Sequence, residues 1–335
     1  MRRRVIFGCS GPVLEPSERD FFRDVQPWGF ILFGRNVKNR EQVRALTDSL
    51  RETVGDAAAP VLIDQEGGRV ARLRPPEWPA RPPQGVFGTL HREHAKTAAD
   101  AAYLNARLIA CDLAEIGVNV DCLPVLDVPV PGAHDVIGDR AFSTDPTVVI
   151  ELGRAVMDGL MDGGVLPVMK HAPGHGRAGC DTHLDLPRVT ASREQLSAAD
   201  FVTFRSLAHC PMAMTAHVVY EAIDPNRPGT LSPRVVHEVI RGEIGYQGLL
   251  MTDDLSMQAL SGPLSARAKA ALFAGCDVVL HCNGGMDEMK DVATEAKPLE
   301  GEWLKRAETA LGHLRTPVEF DRIAAEARLK ELLVA

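Results

Sequence analysis

The chain has 335 residues, 45% hydrophobic and 24% charged, which supplies material for a large core and none of the excess polarity that signals disorder. Its formal net charge of −8 carries no basic stripe, since the only arginine run is Arg2 to Arg4, and this argues against a nucleic-acid partner. No window approaches the ~20 apolar residues of a membrane span, so a soluble protein with no membrane partner is expected.

From the N-terminus, Arg2 to Arg4 followed by Val5, Ile6 and Phe7 has the outline of a secretion signal. Gly8 through Pro12 end the apolar stretch too early, however, and it reads as a first strand. Seven more short apolar runs follow, giving eight near 4–9, 29–33, 61–63, 119–123, 165–169, 211–215, 248–252 and 277–280. Helical patterns lie between most of them. One starts at an Asn39 cap with Gln42 three residues on and runs to about Leu50. A second spans 96–116, with Leu104, Leu108 and Cys111 beside Ile109, Leu113 and Ile116, and Gly117 stops it. The clearest has Asp145 as cap, Pro146 in the first turn, Val149, Leu152, Val156 and Leu160 along one face, and Gly163-Gly164 at its end. The proline-rich stretch 75–85 reads as a stiff surface loop, and residues after about 301 as closing helices. Alternating strands and helices predict a single-domain (β/α)8 barrel over 1–335. It should be irregular, because Pro167 interrupts the fifth run and the second and third runs are short.

Barrel enzymes carry their reacting groups where strands end, and here the runs end in polar residues: Asp64, Lys170 and His171, His217, Asp253 and Asp254, and His281. One aspartate after a strand is ordinarily a cap or turn former. Carboxylates, imidazoles and a lysine on one rim suit sugar recognition, because hydroxyls and amides need many fixed polar partners. The seven cysteines are odd in number and form no Cys-x-x-Cys pair, which fits a reducing compartment. Cys180 reads as an incidental loop residue.

Six segments then become recognisable: ILFGRN at 31–36, IDQEGGRVARL at 63–73, GDRAFS at 138–143, KHAPGHG at 170–176, DTH at 181–183 and MTDDLSM at 251–257. In order and spacing the chain resembles family 3 glycoside hydrolases, specifically the single-domain bacterial β-N-acetylglucosaminidases of peptidoglycan recycling. The resemblance implies Asp253 as nucleophile, with Asp254 a supporting neighbour, and a covalent glycosyl-enzyme whose product keeps the β configuration. It implies His183 as general acid/base, steered by Asp181. At that i, i+2 spacing the carboxylate takes a hydrogen bond from one ring nitrogen while the other serves the glycosidic oxygen. It points to Asp64, Arg72, Arg140, Lys170, His171 and His175 for substrate binding, leaving Glu66 and Arg69 to a salt bridge. Gly67, Gly68, Gly174 and Gly176 fit loops where backbone and ligand approach closely. Ala172 departs from the family pattern, which usually has an aromatic there, and Thr182 stands where Ser is common.

The expectation is a cytoplasmic monomer acting on a small carbohydrate or muropeptide, with no cofactor and no metal. Three alternatives stay open: a sugar-binding sensor without turnover, an N-acetylglucosaminide phosphorylase, and a metal-dependent barrel hydrolase using His171, His175, Asp181, His183, His217 and His281.

Overall fold

The computed structural model describes residues 1–179 and 186–334. Eight parallel strands close into a barrel: β1 (Arg3–Gly8), β2 (Pro27–Leu32), β3 (Val61–Ile63), β4 (Val120–Asp121), β5 (Leu166–Ala172), β6 (Met212–Thr215), β7 (Leu249–Asp254) and β8 (Val278–His281). Each pairs with its predecessor in the chain, and β8 returns to β1 with Val279 opposite Val5. This is the (β/α)8 fold.

Helices line the outside: α1 (Pro16–Val25), α2 (Arg40–Val54), α3 (Gln84–His91), α4 (Ala95–Glu115), α5 (Pro146–Asp162), α6 (Arg193–Ala199), α7 (Phe201–Ser206), a π-helical turn at Val235–Glu243, α8 (Leu264–Ala274), α9 (Met286–Glu295), α10 (Gly301–Leu311) and α11 (Arg322–Val334). Among the described residues, no helix is long and apolar enough to cross a membrane.

Alternation along each strand decides what faces inward. Ile6, Ile31, Leu62, Val120, Leu166, Val168, Met212, Met214, Leu249, Met251, Val278 and Leu280 form one buried cluster, the barrel interior. Their neighbours Val5, Phe7, Phe30, Leu32, Val61, Ile63, Ala213, Leu250 and Val279 belong to a second cluster shared with the helices. Ala307 and Ala310 of α10 join the interior cluster with Leu299 and the half-buried Trp303. That helix therefore closes the bottom, with the Arg4 guanidinium stacked 3.6 Å from the Trp303 ring.

The helix signals act as their chemistry dictates. Asp145 accepts the Thr147 N–H at 2.8 Å, and Asn39 accepts the Gln42 N–H at 2.9 Å. The Gln42 side chain takes the Lys38 N–H at 2.8 Å, one residue before the cap, so the reciprocal bond of a capping box is not made there. Register slips fall between Arg3 and Ile6, Met169 and Ala172, and Val278 and Leu280. Pro167 is tolerated because Leu166 and Val168 donate to Asn119 and Leu123 at 2.9 and 2.8 Å. Its missing N–H falls on the edge facing β6, where pairing begins only at Val168.

The 75–85 stretch is not simply a surface loop. Trp78 and Arg81 are 2% and 6% exposed, Arg81 pairs with Asp112 of α4 and Glu326 of α11, and α3 starts at Gln84. The glycines of 67–68 serve this packing. A Cβ on Gly67, at φ +95, would stand 2.2 Å from the Pro82 carbonyl oxygen, and one on Gly176 2.2 Å from that of Val128. The close approach is to protein backbone.

Candidate active site

Continuing the inward alternation past the last apolar layer gives the polar layer above it. On β2, Ile31 is followed by Phe33; on β3, Leu62 by Asp64; on β5, Val168 by Lys170; on β7, Met251 by Asp253; on β8, Leu280 by Cys282. Apart from the deeper Leu62, Val168 and Met251, these side chains line one cavity of about 400 Å³ at the C-terminal mouth, together with Glu66, Arg72, Arg140, His171, His175 and Asp254. The apolar side chains form its floor. The next turn of the same pattern supplies its chemistry.

Lys170 is the hub. Its ammonium, 2% exposed, lies 2.8 Å from Asp64 Oδ1 and 2.6 Å from Glu66 Oε1. Arg72 donates to the other Asp64 oxygen at 2.9 Å, and Arg140 grips Glu66 in a bidentate fork, both bonds 2.9 Å. Burial pushes the Asp64 and Glu66 carboxyls up, but Lys170, then Arg72 or Arg140, outweighs it. Glu66 is drawn down to about 2 and Asp64 falls below the ordinary carboxylate range. Burial lowers the Lys170 ammonium, and the same carboxylates more than restore it.

A depressed carboxyl stabilises the fold fully above its unfolded pKa, about 4.3 for Glu, and the stabilisation is lost as pH falls through the folded value, here about 2 for Glu66. Glu66→Gln should therefore lower the melting temperature markedly at pH 7, and the gap from the parent should shrink steadily between pH 4.5 and pH 2.5. Calorimetric scans at stepped pH measure this, and a gap of constant size would contradict it.

The two adjacent aspartates of β7 are not equivalent. Asp254 is held by its surroundings: Oδ1 accepts the Ser256 and Cys282 N–H groups, both at 3.1 Å, and Oδ2 accepts the Ser256 hydroxyl. Asp253 accepts one N–H, that of Asp254, at 2.8 Å. Burial pushes its carboxyl up, but His217 and His171, helped by that N–H and Lys170, hold it below the usual range. It is thus an ionised carboxylate facing the cavity with lone pairs to spare.

Imidazoles surround it. His171 Nδ1 is 2.7 Å from Asp127 Oδ2, and its Nε2 is 3.4 Å from Arg140 Nη2. The His175 ring lies 5.5 Å from that of His171 and is driven down to about 4 by burial and by His171, against Asp127. His217 does not line the cavity. It is wholly buried behind Asp253, bridging Thr230 Oγ1 at 2.7 Å and the Asp254 carbonyl at 2.9 Å. His281 is also wholly buried, so the rim is narrower than the polar strand ends suggest.

Asp181, His183 and Cys180 lie outside the described residues. Arg69 does occupy a salt bridge, to Asp139 at 3.0 Å. Glu66 is in a salt bridge too, with Lys170 and Arg140 as its partners, and it also lines the cavity. Asp127 was missed. An apolar run, Leu123 to Leu126, leads straight into it, the same signal that marked Asp64. Ala172 is buried on β5. Among the described residues, no group of three or more His, Cys, Asp or Glu side chains is placed to hold a metal ion, and the six described cysteines are free.

The barrel has known counterparts. Residues 15–310 match the Glycosyl hydrolase family 3 N terminal domain. The chain belongs to glycosyl hydrolase family 3. A beta-hexosaminidase of Alkalilimnicola ehrlichii is 43% identical over 285 residues, covering 83% of this chain and 80% of that protein. One from Stenotrophomonas maltophilia is 36% identical over 333 residues, covering 97% and 95%. Among solved structures, native NagZ from Neisseria gonorrhoeae superposes with a TM-score of 0.88 at 30% identity over 99% of this chain and 98% of that one. NagZ from the same organism in complex with N-trifluoroacetyl-D-glucosamine gives 0.87 at 31%, with the same coverage. As a family 3 member the chain is a glycoside hydrolase.

Proposed function

We propose that this family 3 enzyme is a retaining exo-β-N-acetylglucosaminidase that removes non-reducing terminal N-acetylglucosamine from peptidoglycan fragments in the cytoplasm. The observation that carries the reading is the asymmetry at the end of β7: an ionised carboxylate at Asp253 opens on a cavity ringed by fixed donors and acceptors, while its neighbour is fully engaged. Such a group can attack an anomeric carbon and later leave. Asp64, Arg72, Arg140, Lys170, His171 and His175 would hold the sugar. Relatives named beta-hexosaminidase and a neighbour bound to N-trifluoroacetyl-D-glucosamine support an N-acylated glucosamine as the glycone.

In this reading His183, oriented by Asp181, protonates the departing oxygen and later activates water. His183→Ala should therefore lose little on a 4-nitrophenyl glycoside, whose leaving group needs almost no protonation, and about 100-fold or more on a natural disaccharide. Equal losses on both would remove the acid role. Mass spectrometry of products from a purified muropeptide tests the substrate: release of free N-acetylglucosamine is expected, and an intact glycan chain or a sugar phosphate would overturn the proposal.

A further inference from the structure

We infer that Asp127 is the positioning residue that fixes His171 as its Nδ1–H tautomer, so that Nε2 enters the cavity as a hydrogen-bond acceptor for a ligand hydroxyl. The hydroxyl ligand rests on the reading of the cavity as a sugar site. The tautomer does not.

Asp127 is completely buried and each of its oxygens has work to do. Oδ1 accepts the His175 N–H at 2.7 Å and the His171 N–H at 3.3 Å, and Oδ2 lies 2.7 Å from His171 Nδ1. An ionised carboxylate only accepts, so the proton between them sits on Nδ1. Across the ring, Nε2 faces Arg140 Nη2 at 3.4 Å. A guanidinium only donates, so Nε2 carries a lone pair and no proton; the contact is long, and a ligand hydroxyl at ordinary hydrogen-bond distance can take that lone pair in its place. Two neighbours on opposite sides of the ring thus require the same tautomer. The carboxyl stays ionised: burial pushes it up, but the bonds it accepts from His171 Nδ1 and from the His175 N–H favour the charged form and hold it below the usual range.

The consequence is a division of labour around the sugar. Lys170 and Arg140 can only donate to it, Asp64 can only accept, and His171 adds an acceptor whose direction is fixed by a buried anion. Asp127 also accepts from the backbone at His175, so one carboxylate sets both the ring and the turn of chain 171–175 that carries it.

Asp127→Asn is the informative change, since it alters neither size nor shape. The two backbone N–H groups hold the amide oxygen at the Oδ1 position, which leaves the amide NH2 facing Nδ1. That nitrogen must then accept, the proton moves to Nε2, and a donor is turned toward Arg140 and the ligand. Imidazole ¹⁵N spectra of the wild-type enzyme should show His171, assigned by its loss in His171→Gln, with protonated Nδ1 and unprotonated Nε2. In Asp127→Asn the two signals should exchange, with kcat/KM on 4-nitrophenyl N-acetyl-β-glucosaminide down about 100-fold or more, mostly through KM. A wild-type spectrum with the proton on Nε2 overturns the inference without any variant. So does an Asp127→Asn enzyme that keeps the wild-type tautomer and kinetics. The spectra do not depend on turnover, so failure of the wild-type enzyme to hydrolyse the glycoside would remove the functional reading alone.

Discussion

Asp253→Ala is expected to abolish turnover of 4-nitrophenyl N-acetyl-β-glucosaminide, by about 10⁴-fold or more in kcat, while Asp254→Ala loses far less and melts at a lower temperature. The two residues are neighbours of one type, and their hydrogen bonds set them apart as the resemblance does. Asp254 spends its lone pairs on Ser256 and Cys282. Removing it orphans the buried Cys282 N–H, which costs about 1–3 kcal/mol and loosens the end of β8. Asp253 supports little of the fold through its single accepted bond, so its loss should spare stability and remove chemistry. Steady-state kinetics beside thermal melts decide this. If Asp254→Ala proves the dead enzyme and Asp253→Ala the active one, the nucleophile has been misassigned.

What could be read from the chain follows from how local each signal is. The barrel strands announce themselves as apolar runs, because both faces of a parallel barrel strand are buried and no alternation with solvent dilutes them. Asp64, Lys170 and Asp253 are visible for the same reason, each being the first charged residue where such a run stops. Glu66 is in a salt bridge, as its charge suggests, but its place on the cavity wall is not legible in the sequence. Its partners Lys170 and Arg140 are 104 and 74 positions away in sequence, and only closure of the barrel brings them to the cavity. His281 failed in the opposite sense. It ends an apolar run as the others do, but its position on β8 has the parity of Val279, which faces the helices. Strand parity was legible throughout and would have separated Cys282, which lines the cavity, from His281, which does not.

Lys170→Ala should be the most damaging single change outside Asp253, the proposed nucleophile, because the ammonium stands between the buried Glu66 and the half-buried Asp64. Without it Asp64 keeps Arg72 and Glu66 keeps Arg140, but two negative groups face each other across the emptied space. Breaking a buried pair by removing one partner costs about 3–5 kcal/mol, and here a single cation serves both carboxylates. Part of that strain can be relieved by protonation, so Glu66 should rise from its low value and the variant should bind a proton as it folds. The variant's melting temperature should therefore improve relative to the parent as pH falls from 7 toward 4.5, opposite to a simple cavity, whose cost does not depend on pH. Adding Glu66→Gln to Lys170→Ala should recover part of the stability while leaving activity low, since the donor proposed for the sugar is still missing. A double variant no more stable than Lys170→Ala alone would mean that packing, and not the repulsion of two stranded carboxylates, sets the cost.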